Sequence, residues 1–472
     1  MRYTKILGSV ALATVLATGF SGCGSDDKDT VAPVETSDLI PFGDGEFSPY
    51  ERVATFPTIK NEDGTVNHTA TYAKVAELAN TFAKHVANVN EPESDSETFK
   101  GSNWILAGYE SSEVATDENI KHNILGIPTK LPIDPAVAMS PSNTKKVKVV
   151  EVCNSTYAGK ALGVTNVGGE NGAKVDNGIY HTTALPCEIS IYNDENGIYV
   201  DMLNPETIFT LFFTEVFNSP EMENSDFRTE MMALPTQVKE EIYAMIYNSF
   251  DATSENYTKT SEKLGTIYST MSSIVATTDT ANGGSEPYRH YSYTTTDLAS
   301  TGFTSTDAKN IASKIISVMT SDEEGTVGVQ ESVLKALLPS DIAGVTPSWR
   351  SGRLEPLKVP GGSWIVEACS PTYAKEALTT GEYHTAALPC EIAVFVNPDD
   401  NKTIDISFLN PEFMFSAMFA DAMVNMSEEE KTGFNAIISN INGDLKQIVD
   451  YTMEHNVTGF DGTNEKITPV NY

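Results

Sequence analysis

Two stretches of the chain carry the same chemically capable residues in the same order. The first holds Cys153, then Tyr157, then Tyr180-His181-Thr182-Thr183-Ala184-Leu185-Pro186-Cys187-Glu188-Ile189. The second holds Cys369, then Tyr373, then Tyr383-His384-Thr385-Ala386-Ala387-Leu388-Pro389-Cys390-Glu391-Ile392. The two ten-residue blocks agree at nine positions, which marks a duplicated module. Thiols, imidazoles and carboxylates are the groups that form disulfides, bind soft metals or carry thiol chemistry. In each copy a strand runs up to the first cysteine and an antiparallel strand starts at the second, so both can lie at one end of a sheet. The second cysteine follows the first by 34 positions in one copy and 21 in the other, yet the flanking residues match.

Three readings of these cysteines stay open. In an oxidising compartment, two per module reads as one structural disulfide each, Cys153 with Cys187 and Cys369 with Cys390. Buried thiols can instead pack as small apolar groups. The third reading joins Cys153, His181 and Cys187, and likewise Cys369, His384 and Cys390, into metal or thiol-redox sites, with Glu188 and Glu391 close by. Against it, the chain has no Cys-x-x-Cys, and His-x5-Cys is not a recognised ligand spacing. On the other readings His181 and His384 are ordinary polar residues at a strand edge, and the recurrent tyrosines pack in cores or interfaces. No cofactor is predicted, a metal ion being the one open possibility. No phosphate-cradling loop, nucleophile elbow or His-Glu-x-x-His is present, so an enzyme is the weaker expectation.

The elements that would position these residues recur as well. An extended piece over Tyr50–Phe56 precedes a helix with Val75, Leu78, Ala79, Phe82 and Val86 on one face, capped from Thr69 or Thr71. Trp104–Ala107 and Val147–Val152 read as strands, and Thr156–Leu162 as a short helix. Residues 110–145 read as proline-punctuated loop, and 163–178, with five glycines, as an exposed loop. A hairpin over 188–202 leads to Asn204-Pro205, which opens an apolar helix to Phe217, and a further helix covers Thr236–Phe250. The order then repeats: a strand at Tyr291–Tyr293, a helix over Asp307–Met319, the Cys369 and Cys390 blocks, and a hairpin. Asn410-Pro411 opens the next helix, and a last one begins behind a capping box at Ser427–Glu430. This pattern predicts an α+β fold of two tandem modules, each an antiparallel sheet with helices on one face, plus helical extensions. The expected boundaries are 1–22 for a signal peptide, 23–48 for a tether, 49–250 for the first module, 251–287 for a Ser/Thr-rich linker and 288–472 for the second module.

A strand ending in Val-x-x-Cys, a short Tyr-Ala helix, Leu-Pro-Cys entering a hairpin and Asn-Pro after it resemble the domain of unknown function numbered 302. The resemblance covers about 50–217 and 288–422. It implies a sheet with helices on one face, of the TATA-binding-protein-like type, and a tendency to oligomerise. It implies no activity.

At the N-terminus Arg2 and Lys5 precede an apolar stretch, Ile6–Phe20, that is too short to span a bilayer comfortably. It ends Phe20-Ser21-Gly22-Cys23, which resembles a bacterial lipobox and implies lipidation of Cys23. Gly24 after the cysteine implies the outer membrane, facing the periplasm. Lys and Arg number 31 against 65 Asp and Glu, so the net charge of −34 disfavours nucleic acid as a partner. The sequence therefore predicts a lipid-anchored protein whose duplicated module binds a small ligand or a protein partner, with thiol-redox or metal binding as the alternative.

Overall fold

A computed structural model of the chain describes residues 48–88, 103–109, 147–176, 178–185, 187–253, 256–268, 286–295, 301–319, 349–351, 355–387 and 390–468. Cys23, the tether and residues 110–145 lie outside the described residues, and so do Pro186, Leu388 and Pro389.

The first module runs β1 (Tyr50–Pro57), α1 (His68–Asn88), β2 (Trp104–Tyr109), β3 (Val147–Asn154), α2 (Ser155–Ala161), β4 (Cys187–Asn193) and β5 (Gly197–Leu203). It continues with α3 (Pro205–Phe212), α4 (Thr214–Phe217), α5 (Ser225–Asp251) and β6 (Thr258–Leu264). The second runs β7 (Tyr288–Thr295), α6 (Ser305–Met319), β8 (Arg350–Ser351), β9 (Leu357–Lys358), β10 (Trp364–Cys369), α7 (Pro371–Leu378), β11 (Cys390–Val396) and β12 (Thr403–Leu409). It closes with α8 (Pro411–Met418), α9 (Ala420–Asn425), α10 (Glu428–Asn456) and β13 (Phe460–Thr468).

The two sheets have the same strand order. The first is β2-β3-β4-β5-β1-β6 and the second, read in the same direction, β8-β10-β11-β12-β7-β13, with β9 paired beside β10. Every pairing is antiparallel. The fold is thus α+β, built from two such modules. Alternation explains which face is buried. Ile189 and Ile191 on β4, and Val150 and Val152 on β3, point into the core shared with Val75, Leu78 and Phe82 of α1. One continuous apolar core runs through both modules, from Tyr50 to Met453.

Several helix boundaries follow from capping. Asn67, rather than Thr69 or Thr71, caps α1 by accepting from the Ala70 N–H at 3.0 Å. Asn154 caps α2, and Asn204 and Asn410 cap α3 and α8, each helix having proline or a small residue in its first turn. The capping box at Ser427 and Glu430 is present. The apolar helix expected to run on to Phe217 breaks into two at Phe213.

Other expectations change. α5 begins at Ser225, eleven residues before the expected start, and accommodates Pro235 within it. The span read as a linker contains β6, which hydrogen-bonds along β1. β13 does the same along β7. Each helical extension therefore returns as a strand that covers the edge of its own sheet. The glycine-rich stretch 163–178 is also pinned. Gly168 has φ +89° and its backbone lies so near Asp226 that a Cβ would come within 2.5 Å of that carbonyl carbon. Its N–H donates to Glu230 of α5, and Val167 and Val175 are buried.

Candidate functional site

The segments Tyr180–Leu185 and Tyr383–Ala387, expected as strand edges, are 3-10 turns over Gly178–Ala184 and Glu382–Ala387. They bring the modules together reciprocally. The first turn packs against β11 and β12 of the second sheet, and the second packs against β1, β3, β4 and β5 of the first. His181 and His384 are fully buried in them, which corrects the reading of both as peripheral polar residues.

Each histidine meets an acid from the short helix after the Asn-Pro-capped one of its own module, α4 or α9. His181 Nε2 lies 2.6 Å from Glu215 Oε1, and His384 Nε2 lies 3.5 Å from Asp421 Oδ1. Each ring packs on a phenylalanine just before that acid, Phe213 or Phe419, with centroids 4.2 and 4.1 Å apart. Each also meets edge-on the tyrosine that begins the other module's sheet, His181 against Tyr288 and His384 against Tyr50, both at 5.4 Å. Tyr288 goes further. Its hydroxyl lies 2.9 Å from His181 Nδ1 and donates to the Phe212 carbonyl at 2.9 Å. Burial would raise the Glu215 carboxyl, but the charge and hydrogen bond of His181 outweigh it and hold the group below its usual value. Asp421 is likewise held low against its burial, by hydrogen bonds from His384 and Tyr383. Burial pushes the pKa of His384 down.

The cysteines lie elsewhere in the same corner. None of Cys153, Cys187, Cys369 and Cys390 is joined in a disulfide. The register gives the reason. Cys187 pairs with Val152, not with Cys153, and Cys390 pairs with Ala368, not with Cys369. Successive side chains alternate faces, so the two thiols of a module point to opposite sides of the sheet. Cys187 accordingly packs on the main core, while Cys153 sits in a small cluster with Ala107, Ala158 and Leu162. Among the described residues no three of His, Cys, Asp and Glu are grouped to hold a metal ion. The Cys/His/Cys sets are thus taken apart by the fold, the histidines being engaged by Glu215 and Asp421. Burial pushes the Cys187 thiol well up, as do Cys153, Glu188 and Glu391, and burial with Glu391 and Glu188 pushes Cys390 up to about 12.

What the duplication does bring together is carboxyl groups. Glu188 pairs across the strands with Glu151, and Glu391 with Glu367. All four are buried. Like charges placed opposite one another destabilise a sheet. Glu188 is pushed well above the usual carboxylate range, first by burial and then by Glu391 of the other module, Glu151 and Glu367. Glu188 and Glu391 face a small cavity of about 40 Å³. Matching residues of the two modules wall it: Ala184 with Ala387, Leu203 with Leu409, Ile208 with Met414 and Phe212 with Met418. Thr183 lines one side, and its buried hydroxyl has no hydrogen-bond partner. Its counterpart, Ala386, is the single mismatch in the ten-residue repeat.

The second module's share of this wall lies in a segment with a family match. Residues 362–441 match the family described as a domain of unknown function, DUF302. The DUF302 match takes in β10, α7, the turn with His384, β11, β12, α8 and α9, and hence Glu367, Glu391 and Asp421. It thereby supplies one half of the cavity wall. No curated protein and no solved structure matches the chain.

Tyr50, Tyr288, Glu215, Asp421 and Thr183 were not singled out by sequence reasoning. Tyr50 and Tyr288 each head a first strand, a signal visible once the modules are aligned on sheet order. Thr183 was visible as the mismatch, but nothing local distinguishes a cavity-lining hydroxyl from a drifted position.

Proposed function

We propose that this chain is a lipid-anchored, non-enzymatic binding protein whose ligand is a small molecule held between the two modules. The observation that carries the reading is the cavity itself: both copies of the repeat contribute its walls, and it presents two acids within an otherwise mainly apolar lining. Binding pockets of small ligands share that composition, apolar walls with a few placed polar groups. On this reading Cys23 carries the lipid, the segment to residue 48 is the tether, and the protein faces the periplasm from the outer membrane. The thiol and metal alternative is less supported. Thiols pushed upward are poor nucleophiles at neutral pH, and the strand register separates each pair.

Native mass spectrometry on the full-length protein tests the binding reading. A small adduct that is released on denaturation, and missing from a Leu203→Trp variant that fills the cavity, is the expected result. A thermal-shift panel of small apolar and amphipathic compounds, none of which stabilises the wild-type chain more than Leu203→Trp, counts against it.

A further inference from the structure

The second sheet carries an open polar cleft that shares no lining residue with the cavity between the modules. The geometry points to a saccharide site there: the cleft takes a sugar ring, or another compact neutral polyol, one per chain. The site stands apart from the binding reading above.

The cleft encloses about 380 Å³ at the sheet end where β7, β12 and β13 meet. Small-molecule sites run from about 300 to 1,000 Å³. Ser292 and Thr294 reach it by alternation, since Tyr291 and Tyr293 between and beside them join the core, Tyr293 donating to Asp450 of α10 at 3.0 Å. β13 is bulged between Phe460 and Gly462, and Gly462 has φ +135°, a backbone state that suits glycine. The bulge leaves Asp461 on the rim of the cleft. In the first sheet the matching face is filled. Arg52 lies 3.9 Å over the Tyr199 ring and pairs with Asp201 on β5 and Glu262 on β6. One site per chain follows.

The polar groups select the class of ligand. The described residues lining the cleft include no Lys, Arg or His, so an anion meets no opposite charge. Ser292 lines it although buried, and its hydroxyl donates to Asp405 Oδ1 at 2.5 Å. Asp405 is held in turn by Asn397 at 2.9 Å and lies 3.1 Å from His290 Nε2. Thr403 likewise donates to Asp400, at 3.3 Å. Both hydroxyl protons are thereby committed, and the two oxygens are left to accept. Asp461 adds a carboxylate, and Asn464 a carboxamide that donates as well as accepts. An apolar ligand would leave these groups unmet. A metal ion is poorly served, because one Asp400 oxygen already accepts from the Lys402 N–H at 2.8 Å. Nor are three of His, Cys, Asp and Glu grouped to hold one among the described residues. A polyol matches, since each of its hydroxyls both donates and accepts. Thr294 and Thr463, each with a hydroxyl and a methyl on one carbon, suit a body that alternates O–H with C–H groups.

Saturation-transfer NMR on the full-length protein, with glucose, galactose, mannose and N-acetylglucosamine as probes, tests the site. At least one sugar should receive saturation, and titrating it gives a dissociation constant. Asp461 and Asn464 are exposed on an edge strand, so Asp461→Ala and Asn464→Ala should fold as wild type does. Asp461→Ala should weaken the sugar by roughly ten- to a hundredfold, the loss of a hydrogen bond to a charged group, and Asn464→Ala by a smaller factor. Leu203→Trp, which fills the cavity between the modules, should leave it unchanged. If no sugar receives saturation at millimolar concentration, the saccharide site is overturned while the cavity reading stands. If a sugar binds both alanine variants as tightly as wild type, or is lost from a folded Leu203→Trp variant, it sits elsewhere and the assignment falls. Calcium chloride is titrated alongside by thermal shift. A rise in melting temperature that Asp461→Ala abolishes, with no sugar bound, would make the cleft a cation site and overturn the proposal.

Discussion

Cys187 and Cys390 enter their strands beside buried glutamates, and that placement decides what their sulfur atoms can do. A thiol among carboxyl groups resists ionisation, so both should react slowly with a disulfide reagent in the folded protein at pH 7.5. In guanidinium chloride Cys153, Cys187, Cys369 and Cys390 should all react at once, giving four thiols per chain besides any lipidated Cys23. Two rapidly titrating thiols in the native state, or fewer than four after unfolding, would contradict the buried-thiol arrangement. The histidines give a second test. The folded-state pKa of His384 is depressed, so its contribution is present above the unfolded value of about 6.5 and is lost as pH falls through the folded one. Asp421, also depressed, loses its contribution at still lower pH. Glu188, held up by burial, contributes with the opposite sign, so the test is a difference: the urea midpoint of the wild type relative to His384→Gln should fall between pH 7 and pH 5. The sequence displayed every one of these side chains and their repetition. It could not display that the register places Val152, not Cys153, opposite Cys187, because the phase of a strand is set by tertiary pairing.

At the scale of elements, the helices that follow each hairpin are set by Asn-Pro-Glu, and that motif was readable. The Asn204 carboxamide accepts from the Glu206 N–H at 3.1 Å, and Asn410 from Glu412 at 3.2 Å. Asn204→Ala should cost about 1 kcal/mol of stability, read from the urea midpoint, with a similar loss for Asn410→Ala. α3 and α8 carry cavity residues, so the same variants should also weaken any cavity ligand. The strands β6 and β13 were not readable. The start of α5 carries a local marker, Asn224, which accepts from the Asp226 and Phe227 N–H groups, but Pro235 interrupts the helical signal behind it. β6 and β13 are polar edge strands, Thr-Lys-Thr-Ser-Glu-Lys-Leu in one case, which lack the alternation by which a half-buried strand is recognised. A long-range pairing with β1 or β7 holds them, and no window of sequence contains it.

For the whole molecule, the legible part was the duplication and its α+β class; the hidden part was that the two copies share one core. Tyr288, Phe212 and Phe413 meet across the boundary, with ring centroids 5.9 Å apart for Phe212 and Tyr288 and 5.6 Å for Phe212 and Phe413. A fragment beginning near residue 286 would expose that face, and it should self-associate, as sedimentation would show, rather than remain a monomer. Tyr288→Phe in the full chain removes the hydroxyl that meets both His181 and the Phe212 carbonyl, and should cost about 1–2 kcal/mol by thermal or urea unfolding. Cys23→Ala should release the chain from membrane fractions if the lipid is its anchor. Joining two copies in one polypeptide has a further consequence. In a dimer of identical chains, a molecule on the twofold axis meets two orientations of equal energy. Here the walls it meets differ: threonine at 183 where the repeat has Ala386, and isoleucine and phenylalanine at 208 and 212 where it has Met414 and Met418. The linked chain has given up that degeneracy, so a lopsided guest can be held one way round.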